Sequence, residues 1–219
     1  MTAARARFAA GALAWAAAAG AAVTVAPAGG VFQYYVPYAG VDYIPYYPAQ
    51  ARVGGAVACS ARVAGETRAF EGEFRWRGYE AGTDELAAEG RLAFFFHAAP
   101  ARPYVAPAAG YTGIQLEHIS YDLATAGARA GALLGAAPSR WRCDVYGGYR
   151  AQILVGGRSE PRFFSECYAG GEATWAVTSW LGFRAAGEVL WPGFLGVEHF
   201  GPAGPAPAPL VLLGPTLTL

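Results

Sequence analysis

The clearest pattern in this sequence is a strict alternation of charged and apolar positions that begins near residue 69. The charged positions are Glu71, Glu73, Arg75 and Arg77, and the positions between them are Phe70, Gly72, Phe74, Trp76 and Gly78. Successive side chains of a β-strand point to opposite faces, so this segment predicts a strand with one apolar and one ionised face. A helix is excluded, because Glu71, Phe74 and Arg75 would then share one face.

A second two-faced strand follows the Gly-Thr-Asp turn at residues 82–84. Glu85, Glu89 and Arg91 alternate here with apolar residues that include Leu92 and Phe94. Two such runs joined by a short turn with glycine predict a β-hairpin over residues 69–98. We expect one face of this hairpin to carry the charged set Glu71, Glu73, Arg75, Arg77, Glu89 and Arg91.

The same rhythm of short strands and turns continues along the rest of the chain. Strands are predicted at 52–64, 111–122, 128–135, 141–155, 163–184 with a break at Gly170 and Gly171, 186–200 and 210–219. Residues 31–48 are rich in tyrosine but interrupted by prolines, which predicts an irregular strand or a loop. The proline-rich segments 99–109 and 201–209 are predicted to be loops.

The N-terminus has the features of an export signal. Arg5 and Arg7 precede an uncharged, alanine-rich run, and small residues near 19–22 and 26–28 offer cleavage sites. We expect residues 1–28 to be a signal peptide and residues 29–219 to form one β domain. A retained membrane anchor is the alternative, but alanine-rich runs make weak anchors.

Composition agrees with a β protein that places few charges on its surface. Hydrophobic residues make up 54% of the 219 residues and charged residues only 15%, where about 25% is usual for a soluble domain. The formal net charge is zero, so nothing favours binding to nucleic acid. The spacing of Cys143 and Cys167 disfavours a direct cross-strand disulfide, no metal-ligand spacing occurs, and no cofactor is predicted.

Alternation alone fits a membrane barrel and a soluble β protein equally well. Three features favour the membrane: one strand face almost free of charge, mixed Glu and Arg on the other face, and glycines within the strands. The expected fold is therefore all-β, a closed antiparallel up-and-down transmembrane β-barrel of 8–10 strands, with a soluble secreted barrel or sandwich as the alternative. Phe74 and Trp76 are then expected to face lipid, with the Glu and Arg side chains enclosed.

Over residues 31–219 this pattern resembles the small outer-membrane barrels of Gram-negative bacteria, of the OmpA-type and porin-like kind. The resemblance implies an outer-membrane location, with outer-membrane lipid as the surroundings; a periplasmic or extracellular location is the alternative. The chain departs from these barrels at its end, because Thr218 and Leu219 stand where a terminal aromatic residue is usual. The function implied is a non-enzymatic structural, surface or minor channel role.

One short motif suggests chemistry. In the predicted strand 111–122, His118 and Ser120 share a face, where an imidazole can take the proton of a hydroxyl nucleophile. This His-x-Ser element resembles that of the PagL-type lipid A deacylases, which implies membrane-embedded acyl hydrolysis as the alternative function. Tyr121 replaces the asparagine of that family, and no acidic residue falls beside the histidine.

Overall fold

The computed structural model describes residues 23–36, 50–78, 84–96, 101–115, 120–135, 140–156, 163–192 and 207–219. The ten strands in this part of the chain are β1 (Val23–Val36), β2 (Gln50–Ala64), β3 (Arg68–Gly78), β4 (Asp84–Phe95), β5 (Ala101–Gln115), β6 (Ser120–Leu134), β7 (Trp141–Gly156), β8 (Phe163–Ala176), β9 (Leu181–Pro192) and β10 (Ala208–Thr218). Each pairs antiparallel with its neighbours in the sequence, and β1 pairs with β10, so the sheet closes into an up-and-down barrel. The predicted fold class is confirmed.

β3 and β4 form the predicted charged hairpin. Its register places Glu71 opposite Arg91 and Arg77 opposite Glu85. Phe74 and Trp76 are 42% and 38% exposed on the outside of the barrel, whereas Arg75 is 8% exposed. The apolar face of this hairpin is therefore the outer face.

Of the proline-rich segment 99–109, residues 101–109 are not a loop, and the prediction was wrong for them; residues 99 and 100 lie outside the described part of the chain. β5 runs through it, and its ladder with β6 continues past both Pro103 and Pro107. The ladder between β5 and β4, in contrast, has a gap at Pro107. A proline lacks one N–H and so interrupts pairing on one side only, which leaves the other side free to hold the strand.

Two predicted strands also have different limits. The segment 163–184 breaks at residues 177–180 rather than at Gly170 and Gly171, because the Thr178 hydroxyl accepts the N–H of Leu181 (2.9 Å) and closes a turn there. The segment 111–122 is divided, since β5 ends at Gln115 and β6 begins at Ser120 directly opposite it. The chain reverses direction between these two residues.

The connections differ in length at the two ends of the barrel. At the end that carries both termini of the barrel, the strands are joined by residues 65–67, 96–100, 135–140 and 177–180. At the opposite end, the connections include the long segments 37–49 and 193–207. Short periplasmic turns and longer extracellular loops are the rule for outer-membrane barrels, so the end with the termini is assigned to the periplasm.

Two rows of large side chains mark the outer face across β7, β8 and β9. In one row Trp141 lies opposite Trp175, with the rings stacked 5.6 Å apart, and Trp175 lies opposite Phe183. In the other row Tyr149 and Trp191 flank Cys167. The rows are eight residues apart on each strand, which is about 20 Å along the axis of a barrel with tilted strands. The outward residues between the rows carry no charge: Cys143, Val145, Gly147, Ala169, Gly171, Ala173, Ala185, Gly187 and Val189.

The position of β1 limits where an export signal can be cleaved. Val23–Ala28 belongs to β1 and pairs with β2 from Val63 to Ala58. A signal ending at residue 28 would remove this stretch from the barrel wall, so we expect cleavage at the small residues 19–22. N-terminal sequencing of the mature protein should give a start at or before Val23. A mature chain that starts at Gly29 would contradict this prediction.

Candidate functional site

The candidate site is the charged interior of the barrel. Strand alternation turns every second residue inward, and all six charged residues singled out from the sequence have their side chains there. The inward set also includes charged residues of β6 to β9 that sequence reasoning did not select: Arg129, Arg142, Asp144, Arg150, Glu166, Glu172, Arg184 and Glu188. The alternation of residues along a strand already places Arg142, Asp144 and Arg150 on one face of β7. These three inward residues could therefore have been selected from the sequence.

Arg75 is at the centre of the network. Its Nη2 lies 2.5 Å from Oε1 of Glu73 on the same strand, and its Nη1 donates to Oε1 of Glu188 on β9 at 3.0 Å. β3 and β9 are not neighbours in the barrel, so this second ion pair crosses the lumen. Both carboxylates are nearly inaccessible to solvent, which makes the pairing necessary rather than incidental.

A second ion pair crosses the lumen between β4 and β7. Glu89 lies between two cations, with Oε1 2.9 Å from Nε of Arg91 and Oε2 2.7 Å from Nε of Arg150. Arg91 also contacts Glu73 at 2.8 Å, and Arg150 contacts Glu166 at 2.5 Å. The two crossing pairs are thus linked through Glu73 and Arg91 into one continuous network.

Nearer the periplasmic end the network combines charge with aromatic rings. Arg129 donates to Asp144 at 2.8 Å, and Tyr104 donates to the same carboxylate at 2.9 Å. The guanidinium of Arg129 lies 3.4 Å from the ring centre of Tyr146, a cation–π contact. Arg184 contacts Glu172 at 2.9 Å.

Glycines make room for the inward tyrosines. A Cβ added at Gly148 would meet the Tyr168 ring at 2.4 Å, and one at Gly170 would meet the Tyr146 ring at 3.0 Å. Each ring lies over a glycine of the neighbouring strand, and the two rings meet edge to face with centres 6.3 Å apart. This packing explains why glycines occur inside regular strands on the charged face.

Part of the interior of β1, β2 and β10 is apolar, although Ser60, Arg62 and Thr216 of these strands also face inward. Its buried side chains pack together as one cluster, against Ala186 of β9: Ala28, Phe32, Ala56, Ala58, Leu210 and Leu212. The lumen therefore has two unlike parts, a charged one within β3 to β9 and an apolar one beside the strands that close the barrel.

Two spaces lie among the charges in the described part of the chain. A cavity of about 120 Å³ lies at the extracellular side of the network, between residues such as Arg77, Glu85, Arg150 and Glu166. Below it, beside Arg129 and Asp144, only about 10 Å³ is open, roughly the volume needed for one water molecule. The two spaces are separated by the ion pairs of Arg91.

The structure describes little of the predicted catalytic pair. His118 lies outside the described residues, and of Ser120 only the backbone is described, as the first residue of β6. The single strand that was to place both side chains on one face does not exist, because the chain reverses between Gln115 and Ser120. Acyl transfer by this pair stays a prediction without that support. Among the described residues there is no cluster of potential metal ligands, and all three cysteines are free thiols.

A closed barrel with a charge-free outer belt, two aromatic rows and an ion-paired interior satisfies every requirement of a strand-built membrane protein. A soluble barrel needs the reverse arrangement, since its apolar faces pack inward. The protein is therefore an outer-membrane β-barrel, surrounded by lipid.

Comparisons with known proteins support this fold. No protein-family model matches the chain, and no curated protein matches it. Among solved structures, the outer membrane protease OmpT of Escherichia coli has a TM-score of 0.50 at 5% identity, covering 90% of this chain and 96% of its own. Neisserial surface protein A has a TM-score of 0.40 at 12% identity, covering 90% and 97%. The translocator domain of the autotransporter NalP from Neisseria meningitidis has a TM-score of 0.40 at 11% identity, covering 99% and 96%.

Proposed function

We propose that the protein is a closed, non-enzymatic structural barrel of the outer membrane, whose charged interior holds the wall together rather than conducting ions. The observation that carries this proposal is the pair of ion bridges across the lumen, Arg75 to Glu188 and Arg150 to Glu89. An open pore keeps its centre free for water and ions. Here the centre is occupied by side chains that neutralise one another.

The composition of the network also supports a structural role. Acidic and basic groups alternate around the lumen, so a permeating ion meets no ring of one sign that would select it. Each buried carboxylate discussed above contacts at least one arginine, as low-dielectric surroundings require. A minor channel role is the alternative, and it requires the bridges to separate.

Planar-bilayer recording of the purified full-length barrel tests the proposal. We expect no stable current steps above the lipid baseline in concentrated KCl, because buried ion pairs are only weakly screened by salt. An open trimeric porin inserted under the same conditions is the positive control. Reproducible, steady conductance of the unmodified protein would refute the closed barrel and favour the channel.

The matched variants are Arg150→Ala and Arg68→Ala. Arg150 takes part in a bridge across the lumen, whereas Arg68 is exposed on the outer face over the ring of Phe94. If the bridges close the lumen, brief openings should appear with Arg150→Ala and remain absent with Arg68→Ala. The absence of openings in both variants would show that other groups block the lumen.

A further inference from the structure

Of the strand ladders in the described part of the chain, the one between the first and last strands has the longest gap, three register positions against two between β4 and β5. The β1–β10 ladder pairs Thr24 with Thr218 and Val25 with Leu217, stops, and resumes where Gly29 pairs with Leu213. We call this contact the seam. The β5–β6 ladder, in comparison, runs without a break from Ala101 to Gln115.

Two prolines lie opposite each other in the gap of the seam. The register on both sides of the gap places Pro27 opposite Pro215, and both are exposed on the outer face. Neither can donate a backbone hydrogen bond. On their other sides the ladders are continuous, through Pro27 to Cys59 and through Pro215 to Phe183. The deficit of hydrogen bonds is therefore confined to the seam.

Close backbone contact replaces the missing bonds. A Cβ added at Gly214 would lie 2.0 Å from the carbonyl oxygen of Pro27, so only glycine allows the strands to approach this closely. Such van der Waals contact holds two strands together but has no directional bond to break. The middle of the seam is consequently held without ladder pairs, which remain on both sides of the gap.

The apolar cluster lies directly behind the seam. Ala28, Phe32, Leu210 and Leu212 come from the two seam strands themselves, and Ala56 and Ala58 of β2 complete the wall. Parting of the seam toward the membrane would bring these side chains into contact with hydrocarbon, at little cost. Exposure of the same apolar surface to water would cost much more free energy.

Polar contacts separate this apolar part from the charged part. Arg75 and Glu188 join β3 to β9, and Nη1 of Arg184 donates to Oγ of Ser60 at 2.9 Å, joining β9 to β2. Seen from the membrane, both contacts lie on the lumen side of the four strands β9, β10, β1 and β2. The charged part begins directly behind the cluster, since the guanidinium of Arg77 lies 5.8 Å from the ring centre of Phe32.

We propose that the seam opens sideways into the bilayer and admits the acyl chain of a membrane lipid into the apolar part of the lumen. The seam supplies the entrance, the apolar cluster supplies the surface that contacts the chain, and the polar contacts behind it set the limit of entry. The barrel then binds a lipid chain from the side while its central lumen stays closed.

Photolabelling of the unmodified protein tests this proposal directly. The barrel is reconstituted into phosphatidylcholine vesicles that contain phosphatidylcholine with a diazirine in the middle of one acyl chain. After irradiation and digestion, mass spectrometry should find adducts on the inward residues Phe32, Leu210 and Leu212 as well as on outward residues. Adducts confined to outward residues such as Val211 and Leu213 would overturn the proposal.

A disulfide across the seam provides the matched control. In a background with Cys59, Cys143 and Cys167 replaced by alanine, Gly29→Cys with Leu213→Cys should close the seam and abolish the inward adducts. The pair Ala109→Cys with Ala126→Cys sits at equivalent opposed positions on β5 and β6 and should leave the adducts unchanged. Inward adducts that persist with the seam closed would also overturn the proposal, since the chain would then enter elsewhere.

Discussion

Replacing Arg75 with methionine is expected to destabilise the folded barrel by about 3–5 kcal/mol, the largest effect of any single change considered. Methionine fills a similar volume but leaves Glu73 and Glu188 without their shared cation. Both carboxylates are buried; Glu73 keeps Arg91 at 2.8 Å, but Glu188 loses its ion-pair partner, so its charge would be left uncompensated. The free energy of unfolding in urea, followed by tryptophan fluorescence in vesicles, measures this change.

Two further variants distinguish the effect of losing the ion pairs from the effect of losing any arginine. Arg68→Met removes an exposed arginine of the same strand and should change the free energy of unfolding by less than about 1 kcal/mol. Adding Glu188→Gln to Arg75→Met should recover part of the loss, because one stranded charge is then removed. An Arg75→Met barrel as stable as the unmodified one would show that the ion pairs do not hold the wall.

Introducing an arginine at Val145 should cost about 2–4 kcal/mol, the penalty for a cation at the middle of the bilayer. Val145 is 57% exposed on the outer face of β7, midway between Trp141 and Tyr149. In a soluble protein, the same change at an exposed site would be almost neutral. The free energy of unfolding is measured in lipid vesicles for the unmodified protein and for Val145→Arg.

Val155→Arg is the depth control for this prediction. Val155 is equally exposed and on the same face, but it lies one residue from the end of β7. Near the interface an arginine costs only about 0–1 kcal/mol. Equal penalties at the two positions would mean that the outer face between the aromatic rows is not within hydrocarbon.

The strand pattern was predictable where charge and apolar groups alternate cleanly, and it failed where local signals compete. β3, β4 and β7 follow from parity alone, since their inward charges leave one consistent register. β5 was missed because Pro103 and Pro107 are read as breakers, although each disturbs one side of a ladder only. The division between β5 and β6 was missed because residues 116–119 carry neither glycine nor proline to mark a turn.

For the candidate site, the sequence predicts which residues face inward but not which of them meet. The turn predicted at residues 82–84 would place Glu71 opposite Phe95, whereas β3 ends at Gly78 and β4 begins at Asp84, which places Glu71 opposite Arg91. Arg75 and Glu188 are 113 residues apart and lie on strands that are not neighbours. Their contact depends on how many strands close the barrel and how they are staggered, which no local pattern records.

The spacing of the two aromatic rows has a consequence for the surrounding bilayer. A belt about 20 Å tall is shorter than the apolar band of about 25 Å that is usual for outer-membrane barrels. Lipids beside β7 to β9 must therefore shorten or tilt to cover this side of the protein, at a cost of fractions of a kcal/mol per Å. The barrel would then gather short or disordered chains at this side and create a locally thinned patch in the leaflets it spans.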